Sequence, residues 1–180
     1  MDKNRLLYIP LGGAGEIGMN TYVYGFGLPG KEQYIVIDTG VSFPKMDTSP
    51  GTDLIVADPE FLRVNKNKIS GVFFTHAHED HVGAIAFFYE LFDCLIYCNE
   101  FTSYIARNKL RANGLDDKKL RIIKSSPSIV EVGAFKVSFI PTSHSVPEAS
   151  SLLIETPLGR IFHTGDLKVD YSPVLGDPFQ

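Results

Sequence analysis

The run Thr75-His76-Ala77-His78-Glu79-Asp80-His81 places three imidazoles and the Asp80 carboxylate within a few positions, in a chain with only five histidines. Imidazole and carboxylate without a thiolate suit a divalent transition ion, Zn first, with Mn as the alternative. The spacing narrows the geometry. His76 and His78 are two apart, which suits a bend, whereas ligands on one helix face recur at i and i+4. The simplest arrangement is two adjacent cations, His76 and His78 holding the first, Asp80 and His81 the second.

Two cations need further donors. His144 leaves a strand-like run beside Ser143, Ser145 and Pro147, a position suited to a site. Asp166 follows Ile161-Phe162-His163-Thr164-Gly165, and a carboxylate there can bridge two cations. His163 lies inside that run and is expected to support the site from behind rather than to bind an ion. Asp38 closes Tyr34-Ile35-Val36-Ile37 and is the candidate carboxylate to receive a ligand imidazole's free N–H and fix its tautomer.

Such a site makes water reactive. Two cations about 3.5–4 Å apart bring the pKa of a bound water toward neutrality, and the resulting hydroxide attacks an electrophile held on the metals. Asp80 and Asp166 are the residues expected to position it, and so to be catalytic. No G-x-S-x-G run offers a covalent nucleophile, and the His-rich run holds no cysteine to serve as a thiolate ligand.

Rigid elements must deliver these residues. Strand-like runs occur at Leu6–Ile9, Thr21–Tyr24, Tyr34–Ile37, Gly71–Thr75, Leu95–Cys98, Phe135–Ile140, Ser151–Glu155 and Arg160–His163. Helices are expected over Pro59–Val64, Asp80–Phe92 and Glu100–Ala112. In the second, Ile85, Phe88 and Phe92 form a core-facing stripe. A meander followed by helices indicates an α/β (α+β) fold, a sheet covered by helices on one side. The glycines Gly13, Gly15 and Gly18 satisfy a dinucleotide fingerprint, but the β-rich Asn20–Tyr24 follows where a helix is required. The loop is instead expected to turn tightly beside the cleft, its backbone N–H groups open to a substrate phosphate.

Composition is that of an ordinary soluble domain: 180 residues, 44 % hydrophobic, 21 % charged. No apolar run is long enough to span a membrane, and the N-terminus lacks a signal peptide's apolar stretch. Cys94 and Cys98 would lie on one strand face too far apart for a disulfide, so both are expected as core thiols of a cytoplasmic protein. The net charge of −4 would be cancelled by two divalent ions. Arg107, Lys109, Arg111, Lys118, Lys119, Arg121 and Lys124 form a basic cluster that reads as a solvated face or as the flank of a phosphate path.

These pieces resemble the metallo-β-lactamase superfamily, through His76-Ala77-His78-Glu79-Asp80-His81, His144, Asp166 and Asp38. Within it, four segments look like the ribonuclease J (β-CASP) group: Pro10–Asn20, Asp38–Pro44, Gly51–Val56 and Gly159–Lys168. The resemblance runs from about Leu7 to about Val174. It implies an αββα sandwich, incomplete over residues 1–180, with the β-CASP and C-terminal parts and one further metal-ligand His lying beyond them. It implies 5′-to-3′ exonucleolytic and endonucleolytic cleavage of RNA with two divalent ions, and RNA and further copies of the longer protein as partners, without a membrane. Two other readings stay open: another hydrolase of the superfamily acting on a small ester, thioester or lactam, and a metal-binding fragment without catalysis.

Overall fold

The structure is a computed structural model that describes residues 3–45, 47, 49–123, 128–174 and 178. Its strands are β1 (Arg5–Gly12), β2 (Thr21–Gly27), β3 (Gln33–Ile37), β4 (Val41–Ser42), β5 (Ile55–Val56), β6 (Ile69–Phe73), β7 (Ile96–Cys98), β8 (Leu120–Ile122), β9 (Ser128–Val132), β10 (Phe135–Pro141), β11 (Ser150–Thr156) and β12 (Gly159–His163). Its helices are α1 (Glu60–Val64), α2 (Glu79–Val82), α3 (Ile85–Phe88) and α4 (Glu100–Ala112), with 3₁₀ turns at Lys66–Lys68 and Tyr89–Leu91.

Six strands form a mixed sheet in the order β1-β2-β3-β6-β7-β8. Its β1–β3 half is antiparallel, and β3, β6, β7 and β8 run parallel. The parallel pairs are joined through helical segments, as parallel strands require. A second, antiparallel sheet runs β12-β11-β10-β9. Strand alternation sorts the apolar side chains to two faces. Val23, Val36 and Val72 point to one side of the large sheet and meet Leu62, Val82, Ile85, Phe88, Ala106 and Leu110 of the helices. Tyr24, Ile35, Ile37 and Phe73 point to the other side and meet Val137, Phe139, Leu152 and Ile154 of the second sheet. The layers are therefore helix, sheet, sheet. Among the described residues no helix covers the outer face of the second sheet.

The expected helix over Asp80–Phe92 is broken into α2, α3 and a 3₁₀ turn. The cause is competition for its backbone. The carbonyl of Asp80 accepts from Asn20 N, and that of His81 from Thr39 N. Ala84 N in turn donates to the Thr39 carbonyl rather than four residues back. The apolar stripe survives the break, since Ile85, Phe88 and Phe92 are all buried. β6 ends at Phe73, short of the expected Thr75, which frees Thr75 to turn into the ligand run. Cys94 and Cys98 are both free, Cys98 in the core, and burial pushes both thiols up to about 12.

Gly40 is where these loops cross the ligand run. Its N–H donates to the Asn20 carbonyl, and a methyl at this position would overlap the carbonyl of Asp80. Backbone cannot yield as a flexible side chain can. We expect Gly40→Ala to cost about 3 kcal/mol, the upper end of overpacking. For a domain of this size that lowers the melting temperature by about 6–12 °C. Thermal melts of the metal-free protein measure it, and a melting point unchanged from wild type would contradict the close approach.

Candidate metal centre

The parallel register decides which residues meet. Ile37 pairs with Phe73, so Asp38, next along β3, lies beside the start of the turn after β6. Asp38 N donates to the Phe73 carbonyl, and the residue takes a left-handed φ of 59° that a non-glycine residue adopts at a cost. The return is a fully buried carboxylate with three donors aimed at it. Thr75 N reaches Oδ1 at 2.8 Å, Thr75 Oγ1 reaches Oδ2 at 2.7 Å, and His81 Nδ1 lies 2.8 Å from Oδ2.

That arrangement sets the imidazoles. His81 donates through Nδ1 and turns Nε2 to the cleft. Thr75 Oγ1 spends its hydrogen on Asp38, so it accepts from His76 Nδ1 at 3.0 Å, and His76 likewise presents Nε2. His78 presents the other nitrogen: its Nδ1 lies 3.0 Å from His76 Nε2 and 3.1 Å from His144 Nε2. His78 Nε2 faces Ser145 Oγ at 3.3 Å.

The second sheet delivers the remaining donors. Ser150 N donates to the Thr75 carbonyl, docking β11 on the ligand run, and Lys168 N donates to the Ser143 carbonyl, tying the segment after β12 to the one carrying His144. Asp166 Oδ2 lies 3.8 Å from His144 Nε2, and its Oδ1 lies 3.5 Å from His81 Nε2. Two groups of donors result: His76, His78, His144 and Asp166, and Asp80, His81 and Asp166. Within each, the donor atoms all lie within 4.8 Å of one another. Tetrahedral bonds of about 2.1 Å put ligand atoms about 3.4 Å apart, so both groups are spaced to close on an ion. Asp166 belongs to both groups. The chemistry of the donors fits a divalent cation in each.

The electrostatics of the two groups differ. Burial, reinforced by the neighbouring imidazoles, lowers His76 to about 3. Burial also lowers His144. Burial opposes charge on His81 as well, but Asp38 and Asp166 outweigh it and raise that imidazole to about 10. The hydrogen bond with His81 holds Asp166 down at about 2.

His163 stands apart. Its Nδ1 pairs with the Tyr24 hydroxyl at 3.0 Å and its ring packs edge-on to Tyr22, behind the cluster rather than on a ligand atom. Thr75 is a member of the network that sequence reasoning did not single out, although it opens the His-rich run. The basic cluster is largely paired. Arg107 meets Asp117, Lys109 meets Glu79, Lys118 meets Asp116, and Lys119 lies over the Tyr89 ring. Lys124 lies outside the described residues. In the glycine loop, the N–H of Gly13 goes to Glu16 Oε1 at 3.1 Å instead of standing open to a phosphate.

Residues 14–179 match the family described as the metallo-beta-lactamase superfamily. The chain belongs to that superfamily. It is 40 % identical over 173 residues to Ribonuclease J of Sinorhizobium meliloti, covering 95 % of this chain and 30 % of that protein. It is 36 % identical to Ribonuclease J of Synechocystis over 97 % of this chain and 27 % of that one. Ribonuclease J 2 of Staphylococcus aureus is 32 % identical over 94 % of this chain and 30 % of its own length. The chain thus spans under a third of these curated relatives. Among solved structures, it is similar in fold to YhfI of Bacillus subtilis, with a TM-score of 0.57 at 19 % identity, covering 97 % of this chain and 65 % of that one. A Cronobacter sakazakii metallo-beta-lactamase mutant gives 0.59 at 16 % identity, covering 94 % and 64 %. No helix among the described residues is long and apolar enough to cross a membrane.

The contrast between His76 and His81 has a measurable consequence. A metal-ligating imidazole nitrogen must be free of its proton. At pH 7 His76, well below its ordinary pKa, is already neutral, while His81, raised to about 10, still holds its proton. Loading the Asp80–His81–Asp166 group at pH 7 is expected to release close to one proton from His81, whereas His76 has none to release. Calorimetric titrations in buffers of different ionisation enthalpy count these protons. Asp38→Asn is expected to reduce the release and to weaken that group's ion affinity about 10–100-fold. Equal proton release from both groups would contradict the assignment.

Proposed function

We propose that this chain carries the two-metal centre of an RNA phosphodiester hydrolase of the ribonuclease J kind. The observation that carries the proposal is Asp166, one carboxylate shared between two donor groups, in a chain 40 % identical to a protein named Ribonuclease J. In this reading His76, His78, His144 and Asp166 hold one divalent ion, and Asp80, His81 and Asp166 hold the other. Zn is the first choice by donor type, Mn the second.

Bound ions supply Lewis acidity, lowering the pKa of water and offsetting charge on phosphoryl oxygens. The residues of the chain do the rest. Asp38, directly and through Thr75, keeps the Nε2 atoms of His81 and His76 aimed at the cleft without a change of tautomer. Asp80 and Asp166 remain partly open, at 33 % and 44 % side-chain exposure, so each can accept a hydrogen bond from an attacking water. A phosphodiester attacked in line needs that water on one side of phosphorus and a leaving oxygen on the other. The cleft opens on the same side as the C-terminal ends of β3 and β6, where ligands of α/β sheets collect. A 5′-to-3′ exonuclease with endonuclease activity, working in the cytoplasm within a homo-oligomer, is the fuller reading that the ribonuclease J likeness supports.

The test is turnover of 5′-monophosphorylated single-stranded RNA by the chain loaded with Zn²⁺ or Mn²⁺, alongside a thioester and a β-lactam. RNA shortened stepwise from the 5′ end supports the proposal; turnover of the small esters or lactams with RNA untouched overturns it. The same assay is run on a longer protein containing these residues, and failure of both to cleave RNA would remove the RNA-hydrolase reading. Asp80→Ala is expected to lower RNA cleavage by at least 10³-fold, as loss of a group acting in the transition state does. It should leave one ion bound. Two ions bound in that variant would contradict the ligand assignment.

A further inference from the structure

His144 is carried by the loop 142–149 between β10 and β11, which has no regular secondary structure. The loop brings two contacts to the three-histidine group. His144 Nε2 lies 3.1 Å from His78 Nδ1, and Ser145 Oγ faces His78 Nε2 at 3.3 Å. An ion on His78 Nδ1 leaves the ring hydrogen on Nε2, where Ser145 accepts it. The loop thus supplies one donor and fixes the tautomer of another. An irregular loop holds such positions only where something outside it fixes its backbone.

That support is the N-terminus of α4. The first N–H groups of a helix have no partner within it, and the residue that starts the helix usually caps them with its own side chain. Asn99 stands at that position and makes no such bond. Glu148, on the loop, takes its place: its Oε2 accepts from Phe101 N at 2.8 Å. The helix dipole favours a carboxylate there. Asn99 is thereby free to reach back. Its Nδ2 donates to the Glu148 carbonyl at 2.6 Å and to Ser150 Oγ at 2.9 Å. The loop caps the helix, and the cap residue of the helix bonds the loop. Glu148 also has a φ of 58°, left-handed for a residue that is not glycine. Such a conformation persists only where its surroundings over-determine it, and the bonds to its carboxylate and carbonyl do so here. Ser143 and Glu148 lie on opposite limbs of the loop. Lys168 N holds the first limb through the Ser143 carbonyl, and α4 holds the second.

We propose that Glu148 and Asn99 are positioning residues: by joining the loop 142–149 to the N-terminus of α4, they set the affinity of the His76–His78–His144–Asp166 group for its ion. Neither belongs to either donor group. Further along α4, Lys109 Nζ reaches both carboxylate oxygens of Glu79 at 2.7 Å. One helix therefore meets both the turn that carries His78 and the loop that carries His144, and holds the two at a fixed separation.

The proposal rests on the two-ion reading, and the experiment tells their failures apart. Variants are made in the Asp80→Ala chain, where the three-histidine group alone keeps all its donors, and Zn²⁺ affinity is measured by competition with a chromophoric chelator. The Asp80→Ala parent is expected to bind one ion. Adding Glu148→Ala or Asn99→Ala is expected to weaken it about tenfold or more, as loss of a support behind a ligating histidine does. Glu148→Gln keeps an oxygen for Phe101 N and is expected to stay within about threefold of the parent. Melting of each variant in EDTA reads fold stability without the ion. Glu148→Gly separates positioning from stability, since glycine relieves the left-handed backbone. It is expected to melt above Glu148→Ala and yet to bind no more tightly. Affinity that follows the melting point across the variants, with Glu148→Gly binding like the parent, would overturn the proposal. So would parental affinity in Glu148→Ala. A parent that binds no ion removes the two-ion reading, and this proposal with it.

Discussion

A fully buried carboxylate in need of partners organises this molecule. Burying an ionised group is costly unless it is charge-paired and hydrogen-bonded. Asp38 meets that condition with a backbone N–H and a hydroxyl from the turn that follows β6 and an imidazole from α2. Meeting it fixes the tautomer of His81, and through Thr75 that of His76. The same demand that keeps Asp38 from destabilising the core therefore aims the Nε2 atoms of His81 and His76 into the donor groups. Its left-handed backbone conformation is a further local cost, offset by the network it makes.

The parallel half of the large sheet makes that contact available. Parallel strands present their C-terminal ends on one edge, and the turns there are free to carry polar groups. Asp38 and the His-rich run leave neighbouring strands at that edge, and the segments carrying His144 and Asp166 arrive from the second sheet. The packing between the two sheets, Phe73 and Ile37 against Phe139 and Leu152, is therefore also what brings Asp166 to the histidines.

The break in the expected helix shows how function displaces propensity. Asp80–Phe92 has the apolar period of one helix, and its stripe is buried as that period requires. Yet the carbonyls of Asp80 and His81 are taken by Asn20 and Thr39, from the two loops that flank the cleft. A continuous helix would have satisfied those carbonyls internally and left the loops unattached. The interruption holds the ligand turn to the glycine loop on one side and to the Asp38 loop on the other.

Residue types and spacing by themselves singled out the six side chains that the structure gathers into two groups, His76, His78, Asp80, His81, His144 and Asp166, because the histidines are few and concentrated and the groups follow apolar runs. The long strands and α4 were legible for the same reason, a period that repeats often enough to be read. Only the tertiary structure decided β4, β5 and β8, which at two or three residues carry no period and exist through their partners. It alone decided which nitrogen each imidazole presents, that Thr75 links Asp38 to His76, and that the amide of Asn20 lies beside Asp80 and His81. It also paired most of the basic cluster with local carboxylates. Those outcomes depend on contacts between residues tens of positions apart, and the distance between two side chains is set by strand register and sheet packing, which no local stretch of sequence contains.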